Sequence, residues 1–460
     1  METRKFDAII VGAGVGGLTL AFLLQRRGEK VLVVESSPIV GGAILSEEKG
    51  GFLLEHGPNS TYARKPLMDL IHALGLESDV VYQQPLSANK YFARRESSGA
   101  LRLQKLPTGF VEAISTPLLS TKEKLRILAE PFIRPTIAVD ESVEAFISRR
   151  LGRGIAQNIV APALSGIWAA DIANLSTRSA MSKLWDWEQT HGSLFRGALK
   201  SSSEKSSKPR GRRAPMISFR RGMSQLTACL QSKLGPSAIL SSARVFHIED
   251  GQDSMRVRLA TSSSDAEALL AKRVFLTTPA RASSELLLNI APDLAKDISS
   301  IPYSPLGLLH LAYPKRALGH SLDGFGLLVP PTYGFSLLGA LFSSSVFPKR
   351  APDGYHLLTC FVGGATNPSL ADCTQADIRN RAVAELGELL SASARPEVIN
   401  STYLPSAIPN YPLRHFELQQ KVDEFHIRTP RLRILANWLK GISVADRIDE
   451  ATTLASTSAS

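Results

Sequence analysis

The chain opens on a nearly continuous apolar run, Phe6-Asp7-Ala8-Ile9-Ile10-Val11, which predicts a buried β-strand. A cluster of glycines follows. Leu18, Ala21, Leu23 and Leu24 then recur at helical spacing, Gly28 stops the helix, and residues 30–34 predict a second strand ending at Glu35. Strand, tight turn, helix and strand make one βαβ unit. Phe52-Leu53-Leu54 is a further short apolar strand that runs into Glu55-His56-Gly57-Pro58. From residue 106 to 200 the period is helical, with Leu125, Leu128 and Ala129 on one face and Val143, Phe146, Ile147 and Leu151 on another. Strand-like runs return at 244–248 and 274–278. They prevail from 301 to 405, at 306–313, 326–329, 337–342 and 357–362. A last strand, 432–436, leads through Gly441 to a helix start near Ser443. No internal repeat is visible, and the order of elements predicts an α/β chain whose first domain is interrupted by insertions.

The glycines give the first unit a chemistry. In Gly12-Ala13-Gly14-Val15-Gly16-Gly17, Gly12 allows the turn, Gly14 lets the backbone approach a pyrophosphate, and Gly17 lets helix and strand pack closely. The helix N-terminus then presents free N–H groups and a positive dipole end to the phosphates. Glu35 stands where a ribose hydroxyl needs an acceptor. A GxGxxG alone is weak, but here strand, helix and acid agree with it. The run from Glu35 through Gly41-Gly42 is the extension typical of FAD-binding proteins rather than NAD dehydrogenases. The cofactor expected from these residues is FAD.

A length of 460 residues suits about three domains or one interleaved fold, and 44% apolar residues suffice for a real core. Lys and Arg number 53 against 42 Asp and Glu, a net +11 that favours an anionic partner such as an acidic substrate or lipid head groups. No nucleic-acid-reading motif is present. Part of the excess lies between Ser201 and Arg213, where Lys205, Lys208, Arg210, Arg212 and Arg213 among serines predict a solvated flexible loop. Cys229, Cys360 and Cys373 lack CxxC spacing, and the nine histidines form no HExxH or HxH cluster, so no disulfide framework and no metal site is predicted. The uncharged stretch 8–25 resembles a signal peptide, yet the glycine spacing explains it better as a nucleotide fold, and no cleavage site is convincing. A second uncharged stretch, 324–348, is broken by Pro330-Pro331, glycines and serines into strand-like pieces. The expected location is the cytoplasm, with any membrane contact peripheral.

Further motifs lie outside the glycine loop: Gly166-Ile167-Trp168-Ala169-Ala170-Asp171 with Leu175-Ser176, Lys183-Leu184-Trp185 with Glu188, and His191-Gly192-Ser193-Leu194. Met216-Ile217-Ser218-Phe219, Gly324-Phe325-Gly326, Val329-Pro330, Ser343-Ser344, Phe347-Pro348, Ile408-Pro409, Tyr411 and His415 follow in order. As an ordered set they resemble the family of oxygen-dependent protoporphyrinogen oxidases over nearly the whole chain. The resemblance implies noncovalent FAD and a six-electron oxidation of protoporphyrinogen IX to protoporphyrin IX in heme biosynthesis. A hydride leaves a bridging methylene for flavin N5, tautomerisation moves the remaining hydrogens, and molecular oxygen ends as hydrogen peroxide. The implied partners are protoporphyrinogen IX and molecular oxygen, with an anionic membrane surface, the next heme-pathway enzyme and a second copy of the chain as further candidates, and no nucleic acid.

Carried over position by position, the implied cofactor contacts are Gly12, Ala13, Gly14, Val15, Gly16, Gly17, Glu35, Ser36, Gly42, Ala43, Gly57, Pro58, Asn59, Ser60, Val245, Tyr403, Gly441, Ile442 and Ser443. Val245 would pair its backbone with the adenine edge. The implied substrate contacts are Phe325, Leu328, Leu341 and Phe361 as an apolar clamp, the backbone of Ala169 and Ala170 as acceptors for pyrrole N–H groups, and Lys90 as the anchor of a propionate. No side chain is nominated as a catalytic acid or base, because the flavin carries the chemistry and the protein must hold a floppy apolar macrocycle against it. The family often has Arg at the position of Lys90, and Lys keeps the charge without the bidentate fork. Ala170 replaces a common glycine. Ala445-Asp446-Arg447-Ile448 departs from Pro-Asp-Cys-Ile, and residues from Thr452 onward read as a short polar tail.

The domain plan is then discontinuous. A Rossmann-type FAD-binding domain comprises 1–85, 217–300 and 431–460, and a β-rich substrate-binding domain comprises 86–105 and 301–430. A helical insertion that either packs as core, the default, or lies on a membrane spans 106–200, followed by the basic loop 201–216. Alternatives are coproporphyrinogen III oxidation by the same mechanism, another flavin amine oxidase or carotenoid desaturase, and a flavin-free binding protein of the Rab-escort or GDP-dissociation-inhibitor kind.

Overall fold

The structure is a computed structural model that describes residues 4–96, 98–106, 116, 119–206, 214–261, 264–364 and 373–457. The predicted βαβ unit forms as β1 (Lys5–Val11), α1 (Val15–Gln25) and β2 (Val31–Val34), so the uncharged stretch 8–25 is strand, turn and helix. These strands belong to a seven-stranded sheet in the order Ile239–Leu240, β2, β1, Ser264–Leu276, Met255–Thr261, Ala243–Asp250, with Leu432–Ile434 paired to Ser264–Leu276. Pairing around β1 is parallel, and the strands Met255–Thr261 and Ala243–Asp250 continue it antiparallel. The parallel strands are buried on both faces, which is why they read as continuous apolar runs rather than as alternation. Segments from the beginning, middle and end of the chain therefore share one sheet, as the returning strand signals predicted.

A second seven-stranded sheet runs Glu397–Pro409, Tyr303–Pro314, Tyr355–Gly363, Leu337–Leu341, Gly326–Leu328, Lys90–Arg95, Leu101–Lys105. Residues 90–105 thus join the later strands across a long sequence gap. The helix Gln375–Leu389, which the pattern reading did not single out, covers one face, where Leu309, Leu311, Leu358 and Cys360 pack on Leu386 and Leu389. Because side chains alternate along a strand, Leu306, Leu308, His310 and Phe361 stand on the other, inner face.

The helical insertion is held partly by buried ions. Arg150 and Glu130 are fully buried and 2.5 Å apart, and Arg150 also lies 3.3 Å from the buried Glu188. Arg149 extends the network from Glu188 to Glu141 at 2.8 and 2.6 Å. Val143, Phe146 and Ile147 are buried, as their period predicted. The other predicted face is not core: Leu125 and Leu128 are 63% and 60% exposed. The helix Thr121–Leu128 is short and capped by its own Ser120–Glu123 box, so its formation does not require burying them.

Two boundaries differ from expectation. The helix Leu194–Ser206 carries regular structure into the predicted basic loop, whose residues 207–213 lie outside the described residues. The expected polar tail is helical too. Val444–Thr457 continues past Thr452, because Val444, Ile448, Ala451 and Ala455 recur on one face and pack with the first helix in a common core. Among the described residues no helix is long and apolar enough to cross a membrane.

Candidate functional site

The glycine loop sits at the carboxyl end of β1, where α/β sheets bind their ligands. Its three key glycines do different things. Gly12 has φ 106, and a side chain there would meet Thr277, whose Oγ1 donates to the Gly12 carbonyl at 2.8 Å. At Gly17 an added Cβ would fall 2.2 Å from the Gly12 carbonyl oxygen, so only glycine lets helix and turn pack. Gly14 is the N-cap of α1 with φ −70, and an added Cβ there would meet no protein atom within 4 Å. Nothing in the fold itself requires glycine at 14; the space in front of it is open, as a pyrophosphate needs.

Glu35 is fixed beside that space. Its carboxylate accepts from the Ala13 and Ser37 N–H groups, both at 2.8 Å, and from the Ser36 hydroxyl at 3.2 Å. A carboxylate offers about four acceptor positions, so capacity remains for a ribose hydroxyl. Val245 follows closely in space: the Ala243 N–H donates to the Glu35 carbonyl, and the ladder slips between Val245 and His247. Gly41 and Gly14 are bridged, Gly42 has φ 62, and Gly57 packs so tightly that a Cβ would lie 1.9 Å from the Ala43 carbonyl oxygen. Residues 57–60 are half-buried beyond it. At the far end of the chain Gly441 has φ 68, and Ser443 caps the helix Val444–Thr457 through reciprocal bonds with Asp446. Arg64 reaches the same Asp446 at 2.6 Å, tying the segment after Ser60 to the segment around Ser443. The cradle thus fits a flavin dinucleotide on open space, loop geometry and donor–acceptor chemistry alike.

The inner face of the second sheet gathers the implied substrate contacts. Lys90 is opposite Gly326 and Phe92 opposite Leu328 in one ladder; Gly326 is opposite Leu341, Leu328 opposite Gly339, and Gly339 opposite Phe361 in the next two. Directly opposed residues share a face, so Lys90, Leu328, Leu341 and Phe361 project together. Phe325 and Phe361 pack against Leu341, and Phe361 also reaches the cluster that contains Ala169. Leu328 rests on the helix Ala161–Trp168 so closely that a Cβ at Gly166 would lie 2.5 Å from it. That helix ends at Ala169 with φ 48, which turns the chain sharply into Ala170. Lys90 is exposed at the rim, with its ammonium 5.8 Å from the Phe325 ring centroid.

Tyr403 goes elsewhere. It pairs with Gly307, so it shares the face of Leu309 and Leu311, and it is 45% exposed. One residue decides this: Leu404, opposite Leu306, is the side chain that turns inward. The cofactor contact expected at Tyr403 is therefore not on the side of the sheet that carries the other candidates.

The sequence reading assigned no role to several supporting groups. Glu55 and Arg350, both buried, lie 3.2 Å apart between the FAD segment and the second sheet. Burial pushes the Glu55 carboxyl up to about 7, against the pull of the Arg350 guanidinium. His310, on the inner face, bonds the Glu55 carbonyl through Nε2 at 3.1 Å, and burial pushes it down to about 4. A charged residue closing an apolar strand, as Glu55 does, was the available sign of such a pair.

The family profile described as flavin-containing amine oxidoreductase matches residues 15–432. The chain is 30% identical over 441 residues to protoporphyrinogen oxidase 1, chloroplastic, of Arabidopsis thaliana, covering 90% of this chain and 80% of that one. It is 26% identical over 469 residues to coproporphyrinogen III oxidase of Bacillus subtilis (strain 168), covering 98% and 97%. A crystal structure from Exiguobacterium sp. 255-15, described as a protoporphyrinogen oxidase by inference, superposes with a TM-score of 0.78 at 23% identity and 99% coverage of both chains.

Proposed function

The chain belongs to the flavin-containing amine oxidoreductase family, and from that premise we propose that it oxidises a porphyrinogen, protoporphyrinogen IX first, to the corresponding porphyrin with molecular oxygen as final acceptor. It is an oxidoreductase and its cofactor is FAD. The observation that carries the substrate reading is the inner face: Leu328, Leu341, Phe361 and Phe325 form an apolar wall, the Ala169 turn faces it, and the Lys90 ammonium stands at its rim. A reduced tetrapyrrole has this outline, with an apolar disc, pyrrole N–H donors and carboxylates on one edge.

When bound, FAD supplies the hydride acceptor. The rest falls to the chain. The α1 N-terminus and Gly14 receive the pyrophosphate, and Glu35 accepts from the ribose. The wall formed by Leu328, Leu341 and Phe361 excludes water and restricts the disc to one orientation, which is where most of the rate advantage of positioning arises. The carbonyls of Ala169 and Ala170 accept pyrrole N–H bonds, and Lys90 holds a propionate as a point charge. The test is steady-state oxidation followed by porphyrin fluorescence and peroxide formation with each substrate. A higher kcat/KM with coproporphyrinogen III transfers the assignment to that compound, and no peroxide with either overturns it.

The exposed Leu125, Leu128 and Phe132 stand among Lys122, Lys124, Arg126 and Arg134, which favours peripheral binding of this face to an anionic bilayer. Residues 107–115 and 117–118 of the same region lie outside the described residues. Flotation with anionic liposomes at low salt, lost on substituting Leu125, Leu128 and Phe132 by serine, tests it.

A further inference from the structure

We propose that Tyr411, packed between Trp168 and His415, is a positioning residue that sets the distance between the flavin-contact turn at 441–443 and the Ala169–Ala170 edge of the substrate chamber. The inference rests on the function proposed above and goes beyond it by naming what couples the two halves of the site.

Three buried rings form a column across segments that are far apart in sequence. Trp168 ends the helix whose next residue, Ala169, turns at φ 48. Its ring meets Tyr411 edge-on at 4.7 Å, and Tyr411 stacks on His415 at 4.3 Å with 3° between the planes. All three are nearly inaccessible to solvent.

Its middle and one end are hydrogen-bonded to the two halves of the site. On the substrate side, the Ser176 N–H donates to the Tyr411 carbonyl at 2.9 Å. On the cofactor side, the Tyr411 hydroxyl donates to the Asn437 carbonyl at 2.7 Å. His415 Nε2 donates to the Leu439 carbonyl at 3.1 Å, and Gln419 donates to the same carbonyl at 2.7 Å. These bonds fix peptide planes in the turn immediately before Gly441. Burial lowers the basicity of His415, and the Leu439 carbonyl, which can only accept, places a proton on Nε2.

The consequence is mechanical. A shift of Tyr411 cannot be absorbed by solvent or by an empty space, because a packed interior transmits displacement. It moves the 437–441 turn relative to Trp168, and with them the flavin edge relative to the macrocycle. Placement errors at this scale change the rate of the chemical step more than they change substrate affinity.

Tyr411→Phe keeps the ring column and removes the bond to Asn437. Measured on the FAD-loaded enzyme, the limiting rate of anaerobic flavin reduction by protoporphyrinogen should fall about tenfold. The substrate dissociation constant should stay within about twofold, and the visible flavin spectrum and FAD dissociation constant should both shift, since the turn before Gly441 loosens. His415→Gln, which keeps a donor for Leu439 and loses the stacked ring, should show the same split in smaller degree and guards against a folding defect in the first variant. Wild-type limiting rate, spectrum and FAD affinity in both variants overturn the proposal. So does a loss of thermal stability with no change in spectrum or in the rate-to-affinity split, because that is what packing alone predicts. If the wild-type flavin is not reduced by any porphyrinogen, the functional reading fails, and the spectrum and FAD affinity still decide the role of Tyr411 at the cofactor turn.

Discussion

The cofactor cradle and the substrate chamber are built by opposite means. The cradle is made from backbone: glycines, a helix N-terminus and one acid, most of them within the first stretch of chain. The chamber is made from side chains on strands that meet only in the folded sheet, with Lys90 beside Gly326 and Phe361 beside Gly339. Within the cradle, Gly14 and Gly17 make the contrast sharper. Both are glycines of one motif, yet Gly17 is required by the Gly12 carbonyl at 2.2 Å and Gly14 by nothing in the protein. A glycine the fold does not need, held at the mouth of a helix, is what the proposed pyrophosphate contact calls for.

The largest test breaks the cradle at that point. Gly14→Val should fold, since its φ of −70 suits any residue and no atom obstructs a Cβ, but it should purify without flavin. Gly17→Val should fail earlier, as loss of soluble protein, because its side chain has nowhere to go. A yellow Gly14→Val protein would refute the assignment of the loop.

Next comes the ion network of the insertion, which supports the chamber. Arg150→Met leaves the buried Glu130 and Glu188 without their shared partner and should cost about 3–5 kcal/mol by denaturant titration. FAD affinity per folded molecule should be unchanged, since the network lies in the insertion.

A smaller effect concerns pH. His310 is fully buried with its pKa down to about 4, against an unfolded value near 6.5. Between those values the unfolded chain takes up a proton that the native state refuses, so the His310 contribution to stability falls as pH drops from about 6.5 to about 4, by at most about 3 kcal/mol, while Glu55, raised to about 7, contributes with the opposite sign. His310→Gln should remove its falling contribution, so that stability in chemical denaturation is better kept as pH drops through the window, and an unchanged pH profile would locate the titrating group elsewhere.

The smallest is the rim charge. Lys90→Ala should weaken porphyrinogen binding by about 0.2–1 kcal/mol, the worth of an ion pair at an exposed rim, and leave the limiting rate nearly intact. Lys90→Arg should match or exceed wild type, because a guanidinium grips a carboxylate with two bonds. Phe361→Ala should show the reverse pattern, a slower limiting rate with less change in affinity.

What was legible in the sequence follows the same division. β1, α1, β2 and Glu35 could be placed because each signal is local, and the two-sided burial of parallel strands leaves an unbroken apolar run. Residues 328, 341 and 361, which came from resemblance, share one face of the sheet, and Phe325, just before its strand, packs against Leu341, whereas Tyr403 lies one residue out of phase beside Leu404. Strand alternation makes such a one-residue difference total, because the neighbouring side chain points to the opposite face. The helix Gln375–Leu389 was hidden among strand signals, and the exposed Leu125 and Leu128 carry the same period as a core helix. Periodicity states that a face is apolar and does not state what covers it. Glu55, Arg350, Tyr411 and His415 act through partners more than twenty residues away in the chain, which no local window contains.

The central claim is that the apolar inner face holds a porphyrinogen against a flavin seated on Gly14. The direct measurement is anaerobic mixing of the FAD-loaded protein with protoporphyrinogen IX, followed at the flavin absorbance. The account predicts saturable bleaching of the flavin with porphyrin appearing in step, slowed in Phe361→Ala and weakened in Lys90→Ala. A fully loaded enzyme whose flavin stays oxidised with both protoporphyrinogen IX and coproporphyrinogen III would contradict it.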